Sequence, residues 1–170
     1  MNDILSQGTF FSPSKEGLTI GGVIQELRAY MQEKPHYSYE IVVGCDSSAS
    51  EDPQFPLAIV ALRKGAGGRF FLKRVSYPAR KFYSLQERIL HEVYLSCELA
   101  LFLRGELNEK ITKECPELRY AFQYIHADVG EQGPTKDMIK EVVGLIRGNG
   151  FEPMIKPLSF AASSVADRYS

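Results

Sequence analysis

Hydrophobic residues recur at intervals of three and four after Thr19, which is the pattern of an amphipathic helix. Thr19 is a suitable N-cap for this helix, and Pro35 is expected to end it. The apolar positions of the stretch are Ile20, Val23, Ile24, Leu27 and Met31. Residues 1–18 lack this periodicity, and we predict an N-terminal arm there that Phe10 and Phe11 anchor to the rest of the protein.

Short runs of apolar and β-branched residues predict five strands. These runs are residues 39–45, 57–62, 69–75, 120–127 and 151–155. A Gly-rich segment joins the second run to the third and favours a hairpin. The first three strands are therefore expected to be antiparallel neighbours.

Three further helices are predicted between and after these strands. The longest runs from Ser84 to about Arg104, with Ser84 as N-cap and Glu87 reaching back to complete a capping box. The others cover residues 134–147 and 159–169. Three antiparallel strands followed by β-α-β crossovers predict an α/β fold with a mixed five-stranded sheet and helices on both faces. We expect one domain over residues 1–170, with residues 1–18 as its arm.

Composition narrows the class of protein. Hydrophobic residues make up 44% and charged residues 24% of the chain, which are ordinary globular values. The sequence has neither a secretory signal nor an apolar run long enough to span a membrane, so a cytoplasmic protein is expected. The net charge of −1 argues against a protein that binds nucleic acid by charge alone. Three cysteines without CxxC spacing predict reduced, buried thiols.

Acidic residues follow two of the predicted strands directly. Asp46 ends the first strand and Asp128 ends the fourth. If these strands are parallel neighbours, both carboxylates lie at the edge of the sheet where α/β proteins bind ligands. Two neighbouring carboxylates repel each other, and Mg²⁺ or Mn²⁺ is the simplest cation to lie between them. Each Asp taken alone has an alternative interpretation as a turn residue.

The long helix and the last helix each contribute one more acid. Glu92 lies on the apolar face of the long helix and therefore requires a partner, either a metal ion or a buried arginine. Asp167 lies in the last helix, where small residues would allow close approach to the sheet. Its alternative interpretation is a solvent-exposed acid paired with Arg168 or a lysine.

These motifs resemble the ribonuclease-H-like superfamily, and most closely its YkuK-type family of small, uncharacterised bacterial proteins. The similarity runs from about Phe10 to the C-terminus. It is carried by residues 43–48, 87–92, 126–130, 135–144, 148–150 and 156–168. The resemblance implies that Asp46, Glu92, Asp128 and Asp167 bind metal and catalyse hydrolysis of phosphodiester bonds, with two Mg²⁺ or Mn²⁺ ions when substrate is bound.

The nucleic-acid partner has weaker support in the sequence. Basic residues and aromatic residues alternate in one region, a mixture suited to a nucleic-acid backbone with stacked bases. They are Lys73, Arg74, Tyr77, Arg80, Lys81, Phe82, Tyr83 and Arg88. A solvated strand and loop surface is an equal alternative.

His126 and His91 are candidates for proton transfer or for orienting a carboxylate, although a buried core histidine is the more ordinary interpretation. The alternative to a nuclease is a catalytically silent protein of the same fold that binds nucleic acid or a protein partner.

Overall fold

A mixed five-stranded sheet forms the centre of the structure, a computed structural model in which residues 3–161 are described. The strands are β1 (Ser38–Cys45), β2 (Phe55–Arg63), β3 (Gly68–Val75), β4 (Arg119–His126) and β5 (Glu152–Met154). Their order in the sheet is β3-β2-β1-β4-β5. β1, β2 and β3 are antiparallel neighbours, whereas β4 runs parallel to both β1 and β5. The predicted α/β class and mixed sheet are therefore confirmed.

The helices follow the predicted order, with one short addition at the N-terminus. They are α1 (Asp3–Ser6), α2 (Ile20–Glu33), α3 (Leu85–Glu114) and α4 (Ile139–Gly148), preceded by a 3₁₀ turn over Lys136–Met138. Thr19 caps α2, because its side chain accepts a hydrogen bond from the Gly22 N–H. The Ser84 side chain caps α3 in the same way and accepts from the Glu87 N–H.

Three sequence predictions differ from the observed elements. α3 continues ten residues beyond the predicted end at Arg104, because Leu107 and Ile111 extend its buried face as far as Glu114. The Glu87 carboxylate accepts from the Tyr83 N–H, one residue before the N-cap. The predicted helix over residues 134–147 begins instead with the 3₁₀ turn. Most of the predicted last helix lies outside the described residues.

The main core lies between one face of the sheet and the helices α2, α3 and α4. Ile41 and Val43 of β1 point into it, whereas Val42 points to the opposite face. That opposite face is partly covered by Phe11 and by Phe160 and Ala161. None of the helices within residues 3–161 combines the length and the apolar character that a membrane span requires.

The N-terminal residues wrap around the edge strand β3. Phe10 is buried in the main core, and Phe11 pairs with Leu72 of β3 by two backbone hydrogen bonds of 2.9 and 2.8 Å. The Lys73 side chain is buried and donates to the Leu5 carbonyl at 2.7 Å. These contacts cover the free edge of β3, which would otherwise be open to pairing with another chain.

We predict that Phe10→Ala lowers the free energy of unfolding by about 3–5 kcal/mol, because it removes a fully buried aromatic ring. The measurement is urea denaturation followed by circular dichroism. Leu158→Ala is the control, since Leu158 is largely exposed, and its effect should stay within about 0.5 kcal/mol. Equal effects of the two changes would contradict the packing of Phe10 described above.

Candidate functional site

The parallel pairing of β1 with β4 brings Asp46 and Asp128 to the same edge of the sheet. Gly44 pairs with His126, and each Asp follows two residues after its paired position. Both side chains are half-buried. Both carboxylates were expected at one edge if the two strands were parallel neighbours, and β1 and β4 meet that condition.

Glu92 lies behind this edge on the face of α3 that packs against the sheet, and only 2% of it is exposed. Its Oε1 atom accepts two hydrogen bonds from Ser47, one from the backbone N–H at 2.7 Å and one from the hydroxyl at 2.5 Å. Ser47 directly follows Asp46 in the chain. The partner that a buried glutamate requires is therefore this serine, and Glu92 makes no salt bridge with an arginine within residues 3–161.

Negative charge is concentrated here. The pKa of Glu92 is raised to about 7, chiefly by burial and in addition by the charge of Asp128, whereas the bonds from Ser47 and the charge of Arg88 act in the opposite direction. Burial raises the pKa of the Cys45 thiol well above its usual range, and the charges of Glu92 and Asp46 add to this effect. The acids are thus close enough to influence one another electrostatically.

Lys156 is a site residue to which the sequence analysis gave no role. Its ammonium lies 3.2 Å from Asp128 Oδ1, and the two form a salt bridge. This Oδ1 atom is buried and has no aligned hydrogen bond within the described structure. Lys156 reaches Asp128 because it follows β5, which pairs with β4, and no local sequence pattern reveals such a contact.

Arg88 approaches the same acids from α3. Its guanidinium donates to the Ser47 hydroxyl at 3.3 Å and to the Ser48 carbonyl at 3.0 Å. It also lines a shallow groove of about 280 Å³ together with Tyr83, which is 74% exposed. Glu51 also lines the groove, which thus presents one cation, one anion and one exposed aromatic ring.

Most of the other residues predicted to form a basic and aromatic surface are partly buried or paired with acids. Phe82 is a core residue and Lys73 is buried, so neither is available at the surface. Arg80 and Lys81 are exposed, but they form ion pairs with Glu87 and Asp52. Their charges are therefore partly neutralised. Arg74 is exposed and lies over the Phe11 ring, Tyr77 is half-buried, and Arg88 and Tyr83 line the shallow groove.

The two histidines differ in their surroundings. His126 is buried, and its Nδ1 accepts a hydrogen bond from the Ala161 N–H at 3.1 Å, which places its own proton on Nε2. Burial lowers the pKa of His126 to about 4. His91 lies in an aromatic cluster with Phe55, Tyr77 and Phe82, where burial lowers its pKa to about 4. Both are therefore neutral at physiological pH, His126 as a buried core histidine and His91 as a half-buried one.

Whether this site can hold a metal ion depends on the chemistry and the spacing of its acidic side chains. Carboxylate oxygens are the ligands that Mg²⁺ and Mn²⁺ prefer, and the buried Oδ1 of Asp128 lacks a hydrogen bond. Within residues 3–161, however, no group of three acidic, histidine or cysteine side chains is close enough to hold a metal. Asp167, the fourth predicted ligand, lies outside the described residues. The donor chemistry fits a divalent cation, and binding would require the described carboxylates to draw closer.

Known proteins resemble this chain over most of its length. A family model described as "Ribonuclease H-like" matches residues 22–170. YkuK, an uncharacterised protein of Bacillus subtilis (strain 168), is 34% identical over 169 residues, which cover 95% of this chain and 96% of YkuK. No solved structure matches the chain significantly.

We predict that Glu92→Gln reduces the dependence of stability on pH. Because the pKa of Glu92 is raised to about 7, the folded protein holds the proton of this carboxyl more tightly than the unfolded chain does. The stabilisation that results is complete below the unfolded pKa of 4.5 and is lost as pH rises through 7. Above that pH the variant should be more stable than the wild type, by up to roughly 3 kcal/mol. Urea denaturation in EDTA at about pH 5 and about pH 8 measures the difference.

Glu106→Gln is the matched control, since Glu106 is exposed on the same helix. It should follow the wild-type curve at both pH values. If the Glu92→Gln curve also runs parallel to the wild type, the burial of an ionisable Glu92 carboxyl is contradicted.

Proposed function

The chain belongs to the ribonuclease H-like family, and we propose that it is a metal-dependent nuclease that hydrolyses phosphodiester bonds. The observation that carries this proposal is the juxtaposition of Asp46 and Asp128 at the ends of two parallel strands, with Glu92 buried behind them. Such a concentration of negative charge is costly unless a cation neutralises it. A site of this kind suits divalent cations beside a phosphate.

Asp46, Glu92 and Asp128 would hold Mg²⁺ or Mn²⁺, with Asp167 as a further ligand. Bound divalent ions supply an activated water and stabilise the leaving oxygen of the phosphodiester. The protein's own residues prepare the site. Ser47 holds the Glu92 carboxyl group in place behind the two aspartates through two hydrogen bonds.

Nucleic acid is the proposed partner. Arg88 is half-buried and is oriented by its bonds to Ser47 and Ser48, so it offers a guanidinium to a phosphate at little entropic cost. Tyr83 in the same groove provides an exposed ring on which a base can stack. Two such contacts beside the acids would bring a strand across the site in spite of the protein's net charge of −1.

A catalytically silent protein is the second candidate function, and one observation favours it. The ammonium of Lys156 already neutralises Asp128 at 3.2 Å, as a structural ion pair would. In that case the fold would bind nucleic acid or a protein partner without cutting. Metal binding and cleavage separate the two candidates.

We expect Mn²⁺ to raise the thermal stability of the wild type, because the ion binds the folded carboxylates and not the unfolded chain. The stabilisation should reach about 2.7 kcal/mol when free Mn²⁺ is a hundredfold above its Kd. Asp46→Asn should lose most of this shift. Asp137→Asn is the control, because Asp137 is exposed on the 3₁₀ turn, and it should keep the full shift.

We also expect the wild type to cleave at least one substrate in a labelled panel of RNA and DNA single strands, duplexes, an RNA–DNA hybrid and a four-way junction. The assay contains Mn²⁺ and compares the wild type with Asp46→Asn and Asp137→Asn. Cleavage should disappear only in Asp46→Asn, because that change removes a metal ligand. Cleavage that persists in Asp46→Asn would contradict the assigned site, and absence of both cleavage and Mn²⁺ binding would favour the silent protein.

A further inference from the structure

A cavity of about 550 Å³ has Lys156, the ion-pair partner of Asp128, in its wall. It is lined by Gly130, Glu131, Gln132, Ile155, Lys156 and Pro157. We propose that this cavity binds the nucleotide unit next to the phosphodiester that is cut, with Lys156 contacting a phosphate of that unit. This inference rests on the proposed function, and its test can fail independently of that function.

The position of Lys156 is fixed by the loop that carries Asp128. The backbone N–H of Lys156 donates to the Val129 carbonyl at 2.9 Å. The Lys156 side chain also packs closely on Gly130, since a Cβ added at Gly130 would lie 3.0 Å from Lys156 Cβ. The stem of the lysine is therefore held between the cavity and the acids, and glycine at position 130 leaves the space that the stem occupies.

The ammonium of Lys156 lies where a phosphate would reach it. It is 3.2 Å from Asp128 Oδ1, and 46% of the side chain is exposed. Among the six described residues that line the cavity, Lys156 is the only cation and Glu131 is the only anion. A phosphate entering the cavity would therefore be attracted to the Lys156 end, which is also the end nearest to the proposed metal ligands.

The remaining lining suits the sugar and base of a nucleotide. Ile155 and Pro157 provide apolar surface, and the Gln132 amide supplies both a donor and an acceptor for polar edges. Ligand pockets commonly combine apolar walls with a few polar groups at volumes of about 300–1,000 Å³. The cavity agrees with that description in size and in composition.

The experiment is an NMR titration of the ¹⁵N-labelled full chain in EDTA with adenosine 5′-monophosphate, with uridine 5′-monophosphate and with the two nucleosides. At least one monophosphate should shift the backbone amides of Gly130, Glu131, Gln132 and Lys156 with millimolar affinity. Lys156→Met should weaken its binding about tenfold, because a charge-assisted hydrogen bond is lost. Nucleoside binding, which lacks the phosphate, should be equal in the wild type and in Lys156→Met.

Three further variants keep the test decisive. Lys156→Arg should retain most of the monophosphate affinity because it preserves the charge. Gly130→Ala should weaken binding, since its new methyl group displaces the Lys156 stem. Lys113→Met is the control, because Lys113 is exposed near the end of α3 and pairs with Glu109, and it should bind like the wild type.

The proposal is overturned if neither monophosphate shifts these amides, or if Lys156→Met binds the monophosphates as well as the wild type. It is also overturned if single-stranded RNA and DNA oligonucleotides both fail to compete with the bound monophosphate, because the cavity would then accept only free nucleotides. Amide shifts without cleavage of any strand would remove the nuclease and leave the cavity as a nucleotide site. Metal-dependent cleavage without amide shifts would remove the cavity proposal alone.

Discussion

The parallel pairing of β1 with β4 is the constraint on which the candidate site depends. Neighbouring parallel strands end at the same edge of a sheet, so the residues that follow them are brought together whatever their charge. Here those residues include Asp46 and Asp128. The pairing also determines what lies behind them, because α3 crosses the face of β1 and buries Glu92 against Ser47. The position of all three acids of the candidate site thus follows from one strand arrangement.

The fold tolerates this concentration of charge through specific contacts. Glu92 is stabilised by two hydrogen bonds from Ser47, and its pKa of about 7 reflects the cost of burial that those bonds do not remove. Asp128 is compensated by the Lys156 ammonium across the neighbouring strand. The same contacts give the site its proposed chemistry, because a carboxylate held at an energetic cost binds a cation more readily than a solvated one does.

Local signals made much of the fold predictable. The caps at Thr19 and Ser84 and the continuous apolar run of β1 depend on neighbours in sequence, and the structure contains them as expected. The burial of Glu92 followed from its position on the apolar face of α3. By contrast, the ten additional residues of α3 were not predicted. Leu107 and Ile111 continue its apolar face there, but they are separated by polar residues and form a weaker pattern.

Features that depend on tertiary contacts were not predictable in this way. The pairing of Lys156 with Asp128 requires that β5 lie beside β4, and the sequence alone gives no reason to join these two residues. Phe82 and Tyr83 are adjacent aromatic residues, yet one is core and the other is exposed. Only the packing of the segment before α3 distinguishes them. The role of Asp167 stays a prediction, since it lies beyond the described residues.

The central claim is that Asp46, Glu92 and Asp128 belong to one site for divalent cations. The most direct measurement is anomalous scattering from crystals of the protein grown with Mn²⁺. We predict an anomalous peak between the carboxylates of Asp46 and Asp128, with Lys156 displaced from Asp128. Crystals saturated with Mn²⁺ that show no peak there, and in which Lys156 still contacts Asp128, would contradict the account.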